Sequence, residues 1–465
     1  MKGLDPSYRV AALVCCFGIL FGFGITSIAG VLERLAVIFQ LATSAQETLV
    51  STLVIACFAG AMLAAPLSSR WGRRPVMCLA LGLTLLGYAV ILFEPTYRIL
   101  VGARLALGLS IGLSSMVVPM YAAETTPAHR RGAVVALFQL AITAGILLSY
   151  TVALLFVSSW SWFHIMGVGI IPGVLGFLVL FSLPESPRWL SAKSRMDKAN
   201  EAVKALSLQQ EWQDILRQEP RLDTPGNTAP AARPAANPKK TRTSVVAVLV
   251  LCSTLFILQN FSGIDAILYY APHLFQTLGF APGSASLAAT FGLGLANFLA
   301  TIVALKLVDN AGRRPLLIFG SALMTLGLGL VVLASLYTMP YAGLIGLCLF
   351  IIAFAISLGP LPYVMMSELF PSAIRENGIA VASSVSWLFN ATIAFTFLSV
   401  IKAIGLSTTI GIFMVVCLLS LIISIIYLPE TRRVRLEDIE TKVMQGEHLR
   451  DLGLPRGAKP RIGPT

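Results

Sequence analysis

The chain has 465 residues, 56% of them hydrophobic and only 12% charged, with 34 Lys and Arg against 22 Asp and Glu and a formal net charge of +12. Soluble domains carry roughly a quarter charged residues, so the composition excludes a soluble globular protein and points to the lipid bilayer. The seven cysteines lie in apolar runs, and His129, His164, His273 and His448 are scattered without metal-ligand spacing, so no metal, cofactor or disulfide framework is predicted.

Apolar runs of about 20 residues, the length that crosses a bilayer core, are predicted in chain order at 10–31, 48–67, 76–93, 98–119, 133–156, 163–183, 245–270, 286–307, 315–337, 341–364, 378–400 and 407–427. The first is similar to the apolar core of a signal peptide. It lacks a small-residue cleavage site and runs on into VLERLAVIF, so it is read as a retained helix. One predicted side holds Arg70, Arg73, Arg74, Arg130 and Arg131, the basic residues from Arg188 through Arg242, and then Arg313, Arg314, Arg432, Arg433 and Arg435. The other side holds little beyond Arg34, Arg98 and Lys402. Basic loops face the cytoplasm. Both termini are therefore predicted there, and the positive charge calls for no nucleic-acid partner.

Residues 184–244 break the pattern. The amphipathic stretch SRMDKANEAVKALSLQQEWQDILRQ predicts short cytoplasmic helices, and the Pro/Ala-rich EPRLDTPGNTAPAARPAANPKKTRTS predicts disorder. On either side of this loop the sequence repeats itself. Glu124, Pro127 and Arg131 stand at offsets 0, +3 and +7, and Glu368, Pro371 and Arg375 stand at the same offsets 244 positions later. WGRRP at 71–75 returns as AGRRP at 311–315, and PES at 184–186 returns as PET at 429–431. The expected fold is an all-α integral membrane protein with twelve transmembrane helices in two pseudo-symmetric six-helix bundles, 1–183 and 245–428, joined by the loop 184–244 and followed by a tail, 429–465. Duplicated transporters of this kind bind substrate near the midplane, between halves that rock against each other.

The punctuation resembles that of the sugar porter family of the major facilitator superfamily. The resemblance rests on WGRRP, Arg104 in the fourth span, PMYAAETTPAHRRG (119–132), PESPRWL (184–190), DNAGRRP (309–315), SELFPSAIR (367–375) and PETRRVRLEDIE (429–440). It implies a cytoplasmic gate of Arg73, Arg74, Glu124, Arg131, Asp309, Arg313, Arg314, Glu368 and Arg375, whose ion pairs latch the outward-facing state. Ser69 stands where the family usually has Asp, and Asn310 where it is usually basic, which predicts a weaker latch in the first half. The resemblance also implies a sugar site comprising Gln139, Gln259, Asn260, Asp265, Asn297, Ser386, Trp387 and Asn390, with Tyr363 nearby where the family often has Trp. Amides donate and accept, matching the mixed hydroxyls of a sugar, and an indole face covers its C–H surface. Gln259, Asn260 and Asp265 do not share one face of a straight helix, so a bend at Gly263 is expected.

Arg104 and Asp265 are the candidates for proton coupling. In proton symporters of the family an Asp in the first span partners the arginine, and here FGFGIT places Gly24 at that position. The bland reading of Arg104 is a structural charge that bonds backbone carbonyls or water. Asp265, where the family usually has Asn, has three readings: a displaced proton carrier, an ionised acceptor of sugar hydroxyls, or a structural group paired with Arg104 or another helix. The function expected is transport of a monosaccharide or polyol by alternating access, as proton symporter or facilitator, by a monomer and without enzymatic chemistry. A transporter of drugs or organic ions and a sugar sensor on the same fold are the alternatives; the tail after 428 is short for a sensor domain.

Overall fold

The structure, a computed structural model, describes residues 5–218, 238–370, 375–432, 434 and 436–452. The described residues form helices and no strand. Twelve stretches are long and apolar enough to cross a membrane: Pro6–Thr26, Thr43–Trp71, Arg73–Leu92, Tyr97–Thr125, Ala128–Phe156, Trp162–Phe181, Ser244–Tyr269, Ser284–Val308, Arg313–Leu336, Pro340–Met366, Val385–Ile404 and Leu406–Ile426. They are the first to twelfth spans, and each overlaps one predicted run.

The boundaries differ where helix and apolar run part company. The second, fourth and fifth helices have 29 residues each. At the helical rise that is about 43 Å, longer than a hydrocarbon core of about 30 Å. Their polar end turns, the last of the second and fourth and the first of the fifth, continue the helix beyond the oily part. The first helix instead ends at Thr26, short of the predicted 31, because residues 27–31 turn before a separate helix, Leu32–Ile38.

The first six spans pack on one another, as do the last six, and the halves meet mainly where the second span lies on the eleventh and the fifth on the eighth. Glycines let backbones approach closely: a Cβ at Gly22 would collide with the Ile142 carbonyl, and one at Gly145 with the backbone of Ile19. Small residues serve this purpose in membrane bundles, where packing replaces the hydrophobic effect.

Two spans are broken. In the seventh, helix Pro238–Phe261 stops and Ile264–Tyr269 resumes after Gly263, whose φ of +85° is the left-handed conformation open to glycine. A Cβ there would also enter the ring of Phe413. The bend expected at Gly263 is thus present, as a complete break. In the tenth, Pro340–Ile356 gives way at residues 357–360 to Leu361–Leu369, in a stretch where Pro360 and Pro362 lack the N–H a continuous helix needs. Between the halves lie the short helices Pro187–Ala192, Met196–Leu206 and Gln209–Gln218, where the amphipathic part of the loop predicts them. The Pro/Ala-rich part predicted to be disordered lies outside the described residues, save for its last residues, which open helix Pro238–Phe261.

Candidate functional site

A polar seam forms where the broken seventh span meets the eleventh. Gln259 donates from Nε2 to the Gly359 carbonyl at 2.9 Å, meeting an acceptor at the break in the tenth span. Asn260 donates from Nδ2 to the Phe256 carbonyl at 2.7 Å and to Ser386 Oγ at 3.0 Å. Past the break, Asn390 Nδ2 donates to Asp265 Oδ2 at 2.8 Å, and the Tyr269 hydroxyl donates to Asn390 Oδ1 at 3.2 Å. Ser386 and Asn390 are four residues apart on one helix, and so are Asp265 and Tyr269, so each pair shares a helix face. Four of the predicted site residues, Asn260, Asp265, Ser386 and Asn390, thus bond across the seventh and eleventh spans, and Gln259 beside them bonds to the tenth.

Aromatic rings extend the seam toward the first half. The Trp387 ring lies 6.1 Å from that of Phe21 in the first span, which in turn meets Phe138 edge-on at 6.2 Å. Tyr363 is 50% exposed, packs edge-on against Phe256 at 4.8 Å and keeps its hydroxyl near Ser386. Gln139, next to Phe138, is exposed, and Asn297 is buried in the eighth span; neither joins these hydrogen bonds. The surface as a whole offers amide and hydroxyl groups beside an indole, on elements from both halves.

Arg104 is 1% exposed and donates from Nε to the Leu49 carbonyl at 2.7 Å and from Nη2 to the Val50 carbonyl at 3.4 Å, both on the second span. This matches the bland reading of the sequence. Pairing of Asp265 with Arg104 does not occur: the residues in electrostatic reach of Arg104 are Tyr88, Tyr270, Cys57 and Tyr269. Gly24 faces Ile111 and the Tyr88 hydroxyl, so apolar and phenolic groups fill the place where the resemblance implies a carboxylate.

The end of the bundle that carries the GRR turns is built twice by the same rule. Gly72 and Gly312, at φ +103° and +94°, let the chain turn sharply between spans. The next helix then starts with unpaired N–H groups that attract a carboxylate. Glu185 accepts from the N–H of Arg73 at 3.0 Å and of Arg74 at 3.1 Å, and Glu430 accepts from those of Arg313 and Arg314, both at 3.1 Å. Burial pushes the Glu185 carboxyl above its ordinary value, against the pull of these N–H groups and of Arg73. Arg73 holds Glu124 with two bonds, 2.9 and 2.8 Å, and Arg313 holds Glu368 at 2.8 Å. The two pairs are equally close and equally buried, so the weaker first-half latch expected from Ser69 is not seen in this contact.

The partners of the other arginines are as follows. Arg131 does not pair with Glu124 seven residues earlier but with Glu211, 3.6 Å away on helix Gln209–Gln218. Arg74 and Arg314 contribute their backbone N–H groups to Glu185 and Glu430, and the Arg314 side chain reaches the Ile425 carbonyl at 2.8 Å. The side chains of Asp309 and Arg375 lie outside the described residues.

At the opposite end the bonds cross between halves. Glu47, 3% exposed at the start of the second span, accepts from both the N–H and the hydroxyl of Ser399 on the eleventh, each at 2.6 Å. Lys402 reaches Thr43 at 2.6 Å, Gln276 reaches Glu33 at 2.8 Å, and the Tyr150 hydroxyl reaches the Leu268 carbonyl at 2.6 Å. This end is shut, whereas the ion pairs Arg73–Glu124 and Arg313–Glu368 at the other end each tie one half to itself. Sequence reasoning passed over Glu47, although an acid at the edge of an apolar run was visible. It also gave Glu185 and Glu430 no role, although the PES and PET echo marked them.

A family model described as "Sugar (and other) transporter" matches residues 10–443. The galactose-proton symporter of Escherichia coli (strain K12) is 32% identical over 454 residues, covering 96% of each chain. The arabinose-proton symporter of the same strain is 32% identical over 466 residues, covering 97% of this chain and 96% of its own. Among solved structures, the partially occluded inward-open form of the xylose transporter XylE from E. coli superposes with a TM-score of 0.77 at 27% identity, covering 91% of this chain and 98% of that one. With twelve membrane-crossing helices, this is a multi-pass cell-membrane protein, and it belongs to the sugar transporter family of the major facilitator superfamily.

Proposed function

We propose that the protein carries a monosaccharide or related polyol across the cell membrane by alternating access, coupled to protons, as a monomer and without making or breaking a covalent bond. The observation that carries this reading is the amide and hydroxyl seam at the break of the seventh span, placed between halves that are bonded to each other at the end opposite the GRR turns. The galactose and arabinose symporters support both the substrate class and the coupling. The basic GRR end faces the cytoplasm, as do both termini, since basic residues collect there. The conformation is therefore closed to the outside.

In this scheme Gln259, Asn260, Asp265, Ser386 and Asn390 bond sugar hydroxyls, Trp387 covers the ring face, and Tyr363, Gln139 and Asn297 complete the wall from neighbouring spans. Residues 1–183 rock against 245–428 about the loop 184–244. Arg73, Arg74, Glu124, Arg131, Arg313, Arg314 and Glu368, with Asp309 and Arg375, form the cytoplasmic gate. The test is counterflow in liposomes loaded with unlabelled D-galactose, L-arabinose, D-xylose or inositol, with organic cations and anions as comparison solutes. Saturable exchange of a sugar or polyol, lost in Asn260→Ala, is expected. Exchange of an organic ion and of no sugar would replace this function with the alternative one.

A further inference from the structure

The twelve spans contain three carboxylates, Glu47, Glu124 and Asp265. Glu47 stands in the first turns of the second span and is held by Ser399, and Glu124 stands in the last turn of the fourth and is held by Arg73. Both are at helix ends. Asp265 alone is deep: it bonds Asn390, which lies midway along the 30-residue helix Arg375–Ile404.

The surroundings of Asp265 are polar but uncharged. Asn390 donates to Oδ2, the Tyr269 hydroxyl on the same short helix is within reach, and Tyr363 faces it from the tenth span. No cation pairs with it among the described residues. Arg104, the buried guanidinium, is turned to the carbonyls of Leu49 and Val50. An unpaired carboxylate at this depth depends on water to remain ionised. Whatever displaces that water favours the protonated form.

The hydrogen-bond directions place the proton. Because the Tyr269 hydroxyl donates to Asn390 Oδ1, the Asn390 amide presents its N–H groups to Asp265 Oδ2. Oδ2 is thereby kept as an acceptor, and Oδ1 is left to take a proton and offer it to a hydroxyl oxygen of the ligand. The segment is also built to move: Ile264–Tyr269 is a six-residue helix set between the Gly263 break and Tyr270, where the next helix begins.

We infer that Asp265 is the proton-coupling carboxylate of this transporter, in place of an acid in the first span. The assignment rests on the transport reading above. With the cavity open outward, an external proton adds to Oδ1; the sugar then binds, displaces water and accepts a hydrogen bond from the new O–H. After the halves rock, sugar leaves inward, water returns, the Oδ1–H bond breaks and the proton passes to the cytoplasm. The empty site returns with Asp265 ionised, so one proton moves with each sugar.

The test uses purified full-length protein in liposomes, with D-galactose, L-arabinose and D-xylose as probes, an acid exterior, and Asp265→Asn beside the wild type. Wild type should accumulate sugar transiently, the limit being about tenfold per pH unit of gradient for one proton per sugar, and should take up protons when sugar is added. D265N, read at sugar concentrations high enough to offset weaker binding at this contact residue, should lose both accumulation and proton uptake. Accumulation retained by D265N would overturn the assignment. If D265N does not fold or exchanges no sugar, Asp265→Glu decides: proton uptake with a displaced pH midpoint supports the assignment, and anything else overturns it. Wild type that exchanges none of the three sugars would instead refute the transport reading itself.

Discussion

Replacing Glu47 by Ala removes the carboxylate that bonds the second span to the eleventh at the outer end of the molecule. Both of its oxygens are engaged, each acceptor contact is 2.6 Å, and the residue is 3% exposed, so little water competes for it while the end is shut. When the end opens, water takes over both bonds. Hydrogen bonds to a charged group contribute about 1.5–3 kcal/mol net of that exchange. A shift of about 2 kcal/mol toward the outward-open form corresponds to roughly 30-fold in the equilibrium. Spin labels at Gln40 and Ala403, exposed positions on opposite halves near this end, in a background with the seven native cysteines replaced, would report the distance across the gap. Electron–electron dipolar spectroscopy of E47A in lipid nanodiscs should show a longer-distance population grown at the expense of the short one, with Glu47→Gln intermediate because its amide keeps one acceptor. A distance distribution for E47A that superposes on the wild type would refute the claim that this carboxylate holds the outer end closed.

Three further outcomes are expected. Gly263→Ala forces a side chain into a φ of +85° and against the Phe413 ring, a cost of at least about 1–2 kcal/mol from the backbone alone, and should lower the melting temperature and abolish transport; a fully active variant would show that the break is not required. Arg73→Ala and Arg313→Ala each remove a charge-assisted contact of similar geometry and exposure and should destabilise the protein about equally, by about 1.5–3 kcal/mol; unequal losses in thermal melting would show that the duplicated clamps are not equivalent. Burial holds the His273 imidazole below its ordinary value of 6.5, with Glu33 pulling the other way. A lowered value means the neutral form is favoured on folding, so this stability is present above about pH 6.5 and is lost as pH falls through the lowered value. His273→Gln should flatten the acid side of the melting-temperature profile, and an unchanged slope would count against it.

The fold was largely legible because membrane spans announce themselves by length and oiliness, and duplication left two copies of the same punctuation. Twelve apolar runs, the repeated GRR turns and the break at Gly263 could all be read from the chain. What stayed hidden was choice of partner. Arg131 has Glu124 seven residues away in sequence and takes Glu211 instead, because helix Gln209–Gln218 folds back beside it. Arg104 and Asp265 carry opposite charges within the spans, yet the arginine turns to carbonyls of the second span and the acid to Asn390. Neither preference is encoded in composition or spacing; each depends on which donors the packing brings within about 3 Å. The seam was readable as a set of polar residues on the seventh and eleventh spans. Its pairing was not, and Gln139 and Asn297 remain apart from the hydrogen bonds that join the others.

The two glutamates that cap the GRR turns carry a consequence for biosynthesis. The helix beginning at Arg73 has its first N–H groups satisfied by Glu185, 112 residues later, and the helix beginning at Arg313 by Glu430, 117 residues later. On the ribosome, each third helix of a half must therefore wait, uncapped, until the sixth has been made and the chain has returned to the cytoplasmic face. The carboxylate arrives only when a half is complete, so in each half this cap is among the last contacts to close. A nascent chain that has not reached residue 185 leaves the Arg73 and Arg74 amides without this carboxylate.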